Sequence, residues 1–414
     1  MADLDRDGRI LFLTRAGRMF GYGFLAVVLV LYLAALGIPD LQIGLILTLT
    51  LVGDTIISLW LTTHADRVGR RLVLIVGAVL MVGAGAVFAV VRDPLLLLLA
   101  ATIGVISPSG NEVGPFLAVE QASLTQRLPA ERRTGVLAWY NLAGQLASAV
   151  GALAAGLLAQ MLLAGGSAPL DAYRAIVIGY ALVGILLAAG FLRLTPATEV
   201  PAEERSREPV DRFGLHKSRR VVLRLSAVFS LDAFAGGFVT QSLMAYWFHL
   251  RWGVEPAVLG GIFFAANILA AISALSAARL AARFGLINTM VFTHLPSNVL
   301  LILVPLMPNL PLAIVVLLAR FSISQMDVPT RQSYTISVVD PDERSAAAGV
   351  TGIARTTGSA ISPLIAAPLV GMASLAAVPF YIAGGLKIAY DLILYRLFRS
   401  APTPEEREHE RPRG

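Results

Sequence analysis

Two acidic residues within long apolar runs are the side chains of this sequence whose surroundings best suit chemistry. Glu112 and Asp327 lie 215 positions apart, and a proline follows each of them within three residues. An ionisable side chain deep in a membrane helix costs about 2.5–3.5 kcal/mol on insertion scales, so such a residue usually pairs or lines a pathway. Burial raises the pKa of a carboxyl group toward the working pH, which suits proton transfer. We expect both acids to lie in the middle of helices and to contact a coupled proton or a substrate; alternatively, they neutralise Arg18 or Arg320 and hold the helices together.

The first apolar run carries two arginines on one predicted helix face. Arg15, Arg18 and Tyr22 fall at positions i, i+3 and i+7, which share a face of a helix. We expect Arg15 to extend to the membrane surface. Arg18 lies deeper, and its guanidinium cannot lose its proton as a lysine can. It therefore needs a carboxylate such as Glu112, an anionic substrate or water.

Other polar residues within the apolar runs fall into three groups. Further candidates for coupling or substrate contact are Asp54, Asp232 and Arg320. Candidates for a gate or for salt bridges between helix bundles are Glu120, Arg331, Arg344 and Arg355. Candidates for substrate contact are Tyr22, Asn111, Tyr140, Asn141, Gln145, Asn267 and Gln325.

The composition excludes several classes of function. Hydrophobic residues make up 56% and charged residues 14% of the chain, against roughly 45–50% and 25% in soluble domains. Cysteine is absent, and the five histidines show no H-E-x-x-H spacing. No nucleotide-binding P-loop occurs, and the net charge of +6 comes from arginines clustered between apolar runs. We therefore expect that the protein is not an enzyme and that it binds no metal, cofactor or nucleic acid. Its expected surroundings are a lipid bilayer.

The apolar runs predict an all-α membrane protein with twelve transmembrane helices. An even number of spans puts both termini on one side, and the arginine-rich loops predict that this side is the cytoplasm. The proline- and glutamate-rich stretch 195–220 predicts a linker between bundles at 1–194 and 221–398, followed by a disordered tail at 399–414. The predicted spans are 12–36, 41–62, 72–91, 95–120, 134–162, 172–194, 221–249, 257–278, 286–307, 310–336, 346–370 and 375–397.

A short polar stretch from Thr62 to Arg71 predicts a tight turn between the second and third spans, with Gly69 permitting the backbone to reverse. Its charged residues are Asp66, Arg67, Arg70 and Arg71. Arg283 and Gly285 recur 216 positions after Arg67 and Gly69. A repeat of membrane helices in the two halves of a chain is typical of a secondary transporter.

The D-R-x-G-R-R turn resembles the signature loop of the major facilitator superfamily. The resemblance implies two pseudo-symmetric six-helix bundles around a central cavity that opens alternately to either side. It also implies that the first, fourth, seventh and tenth helices line the transport path, which would place Glu112 and Asp327 there. Asp66 is expected to pair with Arg344 or Arg355 of the other bundle in the outward-open state. The family's leading glycine is Thr62 here, and the second copy has Ala282 in place of Asp66.

The sequence therefore predicts a monomeric secondary transporter in the cytoplasmic membrane that moves a small molecule, coupled to protons. Export is favoured because Gly358 to Pro363 resembles the G-x-x-x-G-P signature of antiporters, although that signature normally lies in the fifth helix. An alternative is an importer or facilitator of a small polar or anionic solute, with Arg18 and Arg320 binding the anion. A further alternative is a membrane receptor or membrane enzyme on the same scaffold.

Overall fold

The structure is a computed structural model that describes residues 5–126, 128–200, 217–340 and 343–398. Every regular element in these residues is a helix, so the all-α prediction is confirmed. The predicted tail at 399–414 and the centre of the predicted linker, 201–216, lie outside the described residues.

The helices of the described residues follow one another with short connections. Two single 3-10 turns, Pro196–Thr198 and Val304–Leu306, complete them. The α-helices are α1 (Arg6–Ala26), α2 (Leu29–Ala35), α3 (Asp40–Val68), α4 (Arg70–Val90), α5 (Pro94–Ile103), α6 (Phe116–Gln126), α7 (Ala130–Ala164), α8 (Pro169–Phe191), α9 (Arg219–Gly237), α10 (Gln241–Trp252), α11 (Pro256–Phe284), α12 (Leu286–Leu303), α13 (Leu310–Ile323), α14 (Asp327–Ser337), α15 (Arg344–Gly371) and α16 (Val378–Phe398).

The described helices provide most of the predicted membrane spans. Nine helical stretches are long and apolar enough to cross a membrane, and a tenth is obtained if the bent pair α1 and α2 forms one span. The remaining two predicted spans are the fourth, which is divided between α5 and α6, and the eleventh, which corresponds to α15. The set is consistent with twelve spans.

Four predicted spans are interrupted: the first between α1 and α2, the fourth between α5 and α6, the seventh between α9 and α10, and the tenth between α13 and α14. The longest interruption, residues 104–115, is called the unwound segment below. It contains two prolines and two glycines with positive φ, Gly110 (70°) and Gly114 (84°), which a helix cannot accommodate. The prediction of a continuous fourth helix with Glu112 in its middle is therefore wrong, and Asp327 begins a helix instead of lying mid-helix.

The signature turn is much shorter than predicted. Helix α3 continues to Val68 and α4 begins at Arg70, so only Gly69 lies between them. Its φ of 115° is a conformation that side chains disfavour, which confirms the expected role of the glycine. Gly285 has a φ of 82° at the equivalent junction of α11 and α12. The polar residues before Gly69 belong to the last turns of α3.

The described residues form two compact units. Unit 1 combines residues up to 200 with 240–267, and unit 2 combines 217–239 with 268–398. The predicted bundle boundaries, which follow the sequence repeat, stay a prediction. Segment 240–267 belongs to unit 1 because it packs on helices of the first half: the Ser242 hydroxyl donates to the carbonyls of Ala26 (2.7 Å) and Pro108 (2.6 Å).

Small residues allow helices to pack closely in each unit. In unit 1 a Cβ at Gly151 would collide with the backbone of Phe20, where α7 crosses α1. In unit 2 a Cβ at Gly358 would lie 2.5 Å from the carbonyl oxygen of Ser230, where α15 crosses α9. Gly358, the first residue of the antiporter-like stretch, thus has a packing role.

Candidate functional site

The buried charges of unit 1 form a network around Arg18. This residue is 0% exposed. Its guanidinium Nε donates to Glu112 Oε1 (2.9 Å), and Nη1 and Nη2 donate to Glu120 Oε1 (2.9 Å) and Oε2 (2.6 Å). Glu120 is 0% exposed as well and also accepts bonds from the hydroxyls of Thr14 (3.2 Å) and Tyr140. The carboxylate partner expected for Arg18 is therefore present twice.

Arg15 belongs to the same network, so the prediction that it extends to the membrane surface is wrong. It is 5% exposed and forms an ion pair with Glu112 Oε2. Its Nη2 lies 3.5 Å from Asn141 Oδ1, and its guanidinium lies 4.9 Å from the centre of the Tyr140 ring. Both oxygens of Glu112 are thus occupied by guanidinium groups.

The carbonyl groups of the unwound segment receive hydrogen bonds from hydroxyl side chains of other helices. Backbone outside a helix is tolerated at membrane depth only where its polar groups find partners. Tyr22 donates to the carbonyl of Val113 (2.9 Å), and Ser148 donates to that of Gly110 (2.9 Å). Tyr180 donates to the carbonyl of Val105. Tyr22, a predicted substrate contact, is fully buried in this supporting position.

Asp54 differs from Glu112 and Glu120 because it has no cation among the described residues. It lies in the middle of α3 and is partly exposed. Its Oδ1 accepts a hydrogen bond from the backbone amide of Gly114 (2.6 Å) and one from the Ser58 hydroxyl (3.0 Å). Its Oδ2 accepts none from the described residues. The unwound segment therefore contains both Glu112 and Gly114, the residue whose amide donates to Asp54.

Asp232 is the common acceptor of three basic side chains in the described part of unit 2. Lys387 Nζ lies 2.5 Å from Asp232 Oδ1, and Nη1 atoms of Arg355 and Arg331 lie 3.3 and 3.4 Å from Oδ2. Arg331 Nη1 also donates to Asp327 Oδ2 (2.7 Å). The structure thus brings together four residues that the sequence analysis proposed separately: Asp232, Asp327, Arg331 and Arg355.

Sequence reasoning missed the acid and the base that α16 contributes. Lys387 and Asp391 lie one turn apart inside an apolar run, a signal that was visible in the sequence. Asp391 is 0% exposed and accepts hydrogen bonds from His294 Nδ1 (2.8 Å) and Asn298 Nδ2 (2.9 Å). His294, which showed no motif, joins the two acids because its Nε2 lies 3.9 Å from Asp232 Oδ1.

Arg320 stands apart from this cluster. It lies near the end of α13, is 8% exposed, and forms neither a hydrogen bond nor an ion pair with any residue that the structure describes. Its buried Nε has no partner there. The guanidinium lies 4.9 Å from the ring centre of Phe321.

Side chains of the signature turn are held inside unit 1. Asp66 pairs with Arg70 one helical turn away (2.8 Å), and Arg70 also donates to Gln126 (2.6 Å). Arg71 donates to the carbonyls of two residues at the end of α8. The Glu199 carboxylate, which sequence reasoning missed, accepts the backbone amides of Arg70 (2.7 Å) and Arg71 (3.0 Å). An acid at a helix N-terminus binds its free amides and complements the helix dipole.

The remaining predicted residues are placed less distinctively. Arg67, Arg283 and Gln145 are exposed, and Arg344 donates to the carbonyl of Ile336 (3.1 Å). Asn111 is exposed in the unwound segment. The Asn267 amide lies 3.4 Å from Gln241 Oε1, and the backbone amide of Gln325 donates to Ser273 (3.2 Å). Their predicted roles stay predictions. The described residues contain no group of side chains that could hold a metal ion.

Three comparisons identify relatives of this chain. Residues 11–363 match the family model of the Major Facilitator Superfamily. An uncharacterized membrane protein of Saccharomyces cerevisiae is 32% identical over 95% of this chain and 94% of its own length. The solved nucleoside transporter NupG is 12% identical with a TM-score of 0.74, over 95% of this chain and all of that one. A D-xylose-proton symporter is 14% identical with a TM-score of 0.73, over 94% and 97%.

These likenesses agree with the architecture described above. The solved structures share its fold, and the family model covers both copies of the signature turn. The protein is therefore a multi-pass membrane protein of a transporter family. This chain belongs to the major facilitator superfamily.

Proposed function

We propose that this protein is a secondary transporter of small molecules that is coupled to protons, with Asp54 as the carboxyl group that takes up and releases the coupled proton. We further propose that the protein lies in the cytoplasmic membrane with both termini in the cytoplasm, as the arginine-rich loops predict. The observation that supports coupling through Asp54 is that this acid, in the middle of an apolar helix, has no cation among the described residues.

The neighbouring acids are less suitable for this task. A carboxylate that is held by guanidinium groups loses its ion pairs when it takes up a proton. Both oxygens of Glu112 are held in this way, and Asp327 is paired with Arg331. Asp54 has only two neutral donors, both on Oδ1. Its second oxygen can take a proton without the loss of an ion pair.

The unwound segment gives a second reason to assign the coupled proton to Asp54, because this acid holds the segment to α3. Protonation removes the charge that the Gly114 amide and the Ser58 hydroxyl stabilise, so it weakens the attachment of α3 to this segment. The same segment carries Glu112 and hence the ion pairs to α1. Proton binding at Asp54 can therefore alter how the unwound segment sits against α1 and α3.

The experiment uses purified protein in liposomes that contain the pH indicator pyranine. The solute panel includes nucleosides and sugars, because the solved proteins that share this fold include a nucleoside transporter and a D-xylose-proton symporter. It also includes carboxylates and phosphate esters. Each solute is added on either side in turn, so that import and export are both recorded. For an active solute, exchange at equal pH measures transport without net proton movement.

Asp54→Asn should abolish the solute-dependent pH change and leave exchange at equal pH intact. The matched control is Asp171→Asn, an exposed acid in a surface ion pair, which should behave as wild type. A wild-type pH change in the Asp54 variant would move the coupling site to Glu112 or Asp327. Solute exchange without any pH change in the wild-type protein would exclude proton coupling.

A further inference from the structure

The buried cation Arg320 in unit 2 has no anion to neutralise it in the part of the chain that the structure describes. It is 8% exposed, its Nε is buried without a partner, and none of its nitrogens donates to a described residue. The residue lies one turn before the interruption between α13 and α14. Discontinuous helices of transporters commonly form ligand sites, because their ends expose polar groups.

An unpaired guanidinium in this position is costly. An arginine cannot lose its proton to escape the cost of burial. Its contact with the Phe321 ring stabilises a cation only weakly. Removing a charged group from water without a paired counter-charge costs more free energy than such a contact contributes. The ring alone therefore does not compensate for the buried charge.

The nearby acids are already used by other cations. Asp232 and Asp327 interact electrostatically with Arg320. However, Asp232 is held by Lys387 at 2.5 Å, and Asp327 is held by Arg331 at 2.7 Å. The third acid of the cluster, Asp391, accepts bonds from His294 and Asn298.

A count of charges leads to the same result. Among the described residues, the cluster and Arg320 together contain four arginine or lysine side chains and three carboxylates. The cations are Arg320, Arg331, Arg355 and Lys387, and the carboxylates are Asp232, Asp327 and Asp391. The side chain of Arg355 is 32% exposed and has one 3.3 Å contact to an oxygen that Arg331 shares. The surplus positive charge thus lies at Arg320 and at the partly exposed Arg355.

We propose that Arg320 is an anion-binding residue that holds a carboxylate or phosphate group of a small-molecule ligand. A planar guanidinium binds either group through two parallel hydrogen bonds. Arg355 adds positive charge at Asp232, an acid that also interacts electrostatically with Arg320. This inference rests on the proposed function, since it names the substrate class of the transporter: a small organic anion.

The test measures ligand binding to the purified full chain in detergent, without a proton gradient. Succinate and inorganic phosphate are the two anion probes, and succinamide at equal ionic strength is the neutral control. Ligand binding to the folded state should give a saturable rise of about 2–4 °C in the melting temperature of the wild type. A rise with succinate alone identifies a carboxylate site, and a rise with phosphate alone identifies a phosphate site.

Arg320→Gln should weaken the stabilising anion at least tenfold, and Arg320→Lys should retain part of the effect. The matched control is Arg224→Gln, an exposed arginine of unit 2, which should bind as wild type. Without ligand, Arg320→Gln should melt no lower than the wild type, because the change removes an unpaired buried charge.

Three results of the binding test would overturn the inference. One is the absence of saturable stabilisation by both anions in the wild type, and another is equal stabilisation of Arg320→Gln. The third is a ligand-free Arg320→Gln variant that melts well below the wild type, which would mean that Arg320 holds the fold together. A protein that binds anions but moves no protons would retain this inference and lose the role proposed for Asp54. Proton-coupled transport of neutral solutes alone would retain the role proposed for Asp54 and contradict the anion-binding role of Arg320.

Discussion

The two units treat their buried charges in different ways. In unit 1, two guanidinium groups face two carboxylates, and Arg18 bridges both acids with three hydrogen bonds of 2.6–2.9 Å. In unit 2, three cations share the single acid Asp232 at 2.5–3.4 Å. In the first arrangement Glu120 depends on one cation, Arg18, whereas the second distributes the charge over several partners.

The difference identifies the charged side chain that has no ionic partner among the described residues of each unit. Matching in unit 1 leaves an acid, Asp54, without a cation among the described residues. Sharing in unit 2 leaves a base, Arg320, without an acid in the same described part of the chain. The sequence repeat therefore supplies equivalent helices but opposite unpaired charges. That asymmetry is the basis of our two proposals, a proton site at Asp54 and an anion site at Arg320.

The largest effect is expected from Arg18→Ala, because Glu120 contacts no second cation among the described residues. Removing one partner of a buried ion pair costs about 3–5 kcal/mol. Unfolding in detergent micelles measures the loss of free energy, and Arg67→Ala, an exposed arginine, is the control. Adding Glu120→Gln to Arg18→Ala should recover part of the loss. If the double variant were no more stable than the single one, Glu120 would not depend on Arg18 as its one cation.

Lys387→Met should cost less, about 1–3 kcal/mol. Asp232 retains Arg331 and Arg355 after the change, so its charge is still partly compensated. The same unfolding measurement compares this variant directly with Arg18→Ala. If Lys387→Met were the more damaging of the two, shared cations would not protect unit 2, and the comparison between the units would fail.

Tyr22→Phe tests a hydrogen bond to the unwound segment, which is a longer interruption than the one between α13 and α14. The unwound segment spans residues 104–115, whereas α13 and α14 are separated by residues 324–326 alone. Loss of the Tyr22 hydroxyl leaves the Val113 carbonyl without this donor and should cost about 1–2 kcal/mol. Tyr381→Phe, at a more exposed tyrosine, should cost almost nothing. Equal melting temperatures of both variants would mean that water replaces the hydroxyl.

The smallest effect concerns a feature that both units share. Glu199 accepts the amides of Arg70 and Arg71, and Glu343 accepts those of Lys217 and Ser218 (2.8 Å each). Replacing either glutamate by glutamine removes a charge near a helix start and should cost about 0.3–1 kcal/mol. Hydrogen exchange at the amides should accelerate by a similar factor in both variants. Acceleration in one unit only would show that one acid has no capping role.

Much of the fold could be predicted from the sequence because its signals are local. Long apolar runs require helices in lipid, since every backbone group must find a partner within the span. Gly69 and Gly285 mark their junctions because a positive φ disfavours any side chain at those positions. Proline and glycine in residues 104–115 were equally visible, but the apolar residues around them outweighed that signal, and a continuous helix was predicted.

The candidate sites were predictable only as a set of residue types. The cost of a buried charge singled out Arg18, Glu112, Asp54 and Arg320 without tertiary information. Which charge meets which depends on distances between helices that are far apart in the sequence. The structure alone paired Arg18 with Glu120, drew Arg15 inward, and brought Lys387 to Asp232. It also left Asp54 and Arg320 without ionic partners in the described residues, because an ion pair forms only where packing brings opposite charges within about 4 Å.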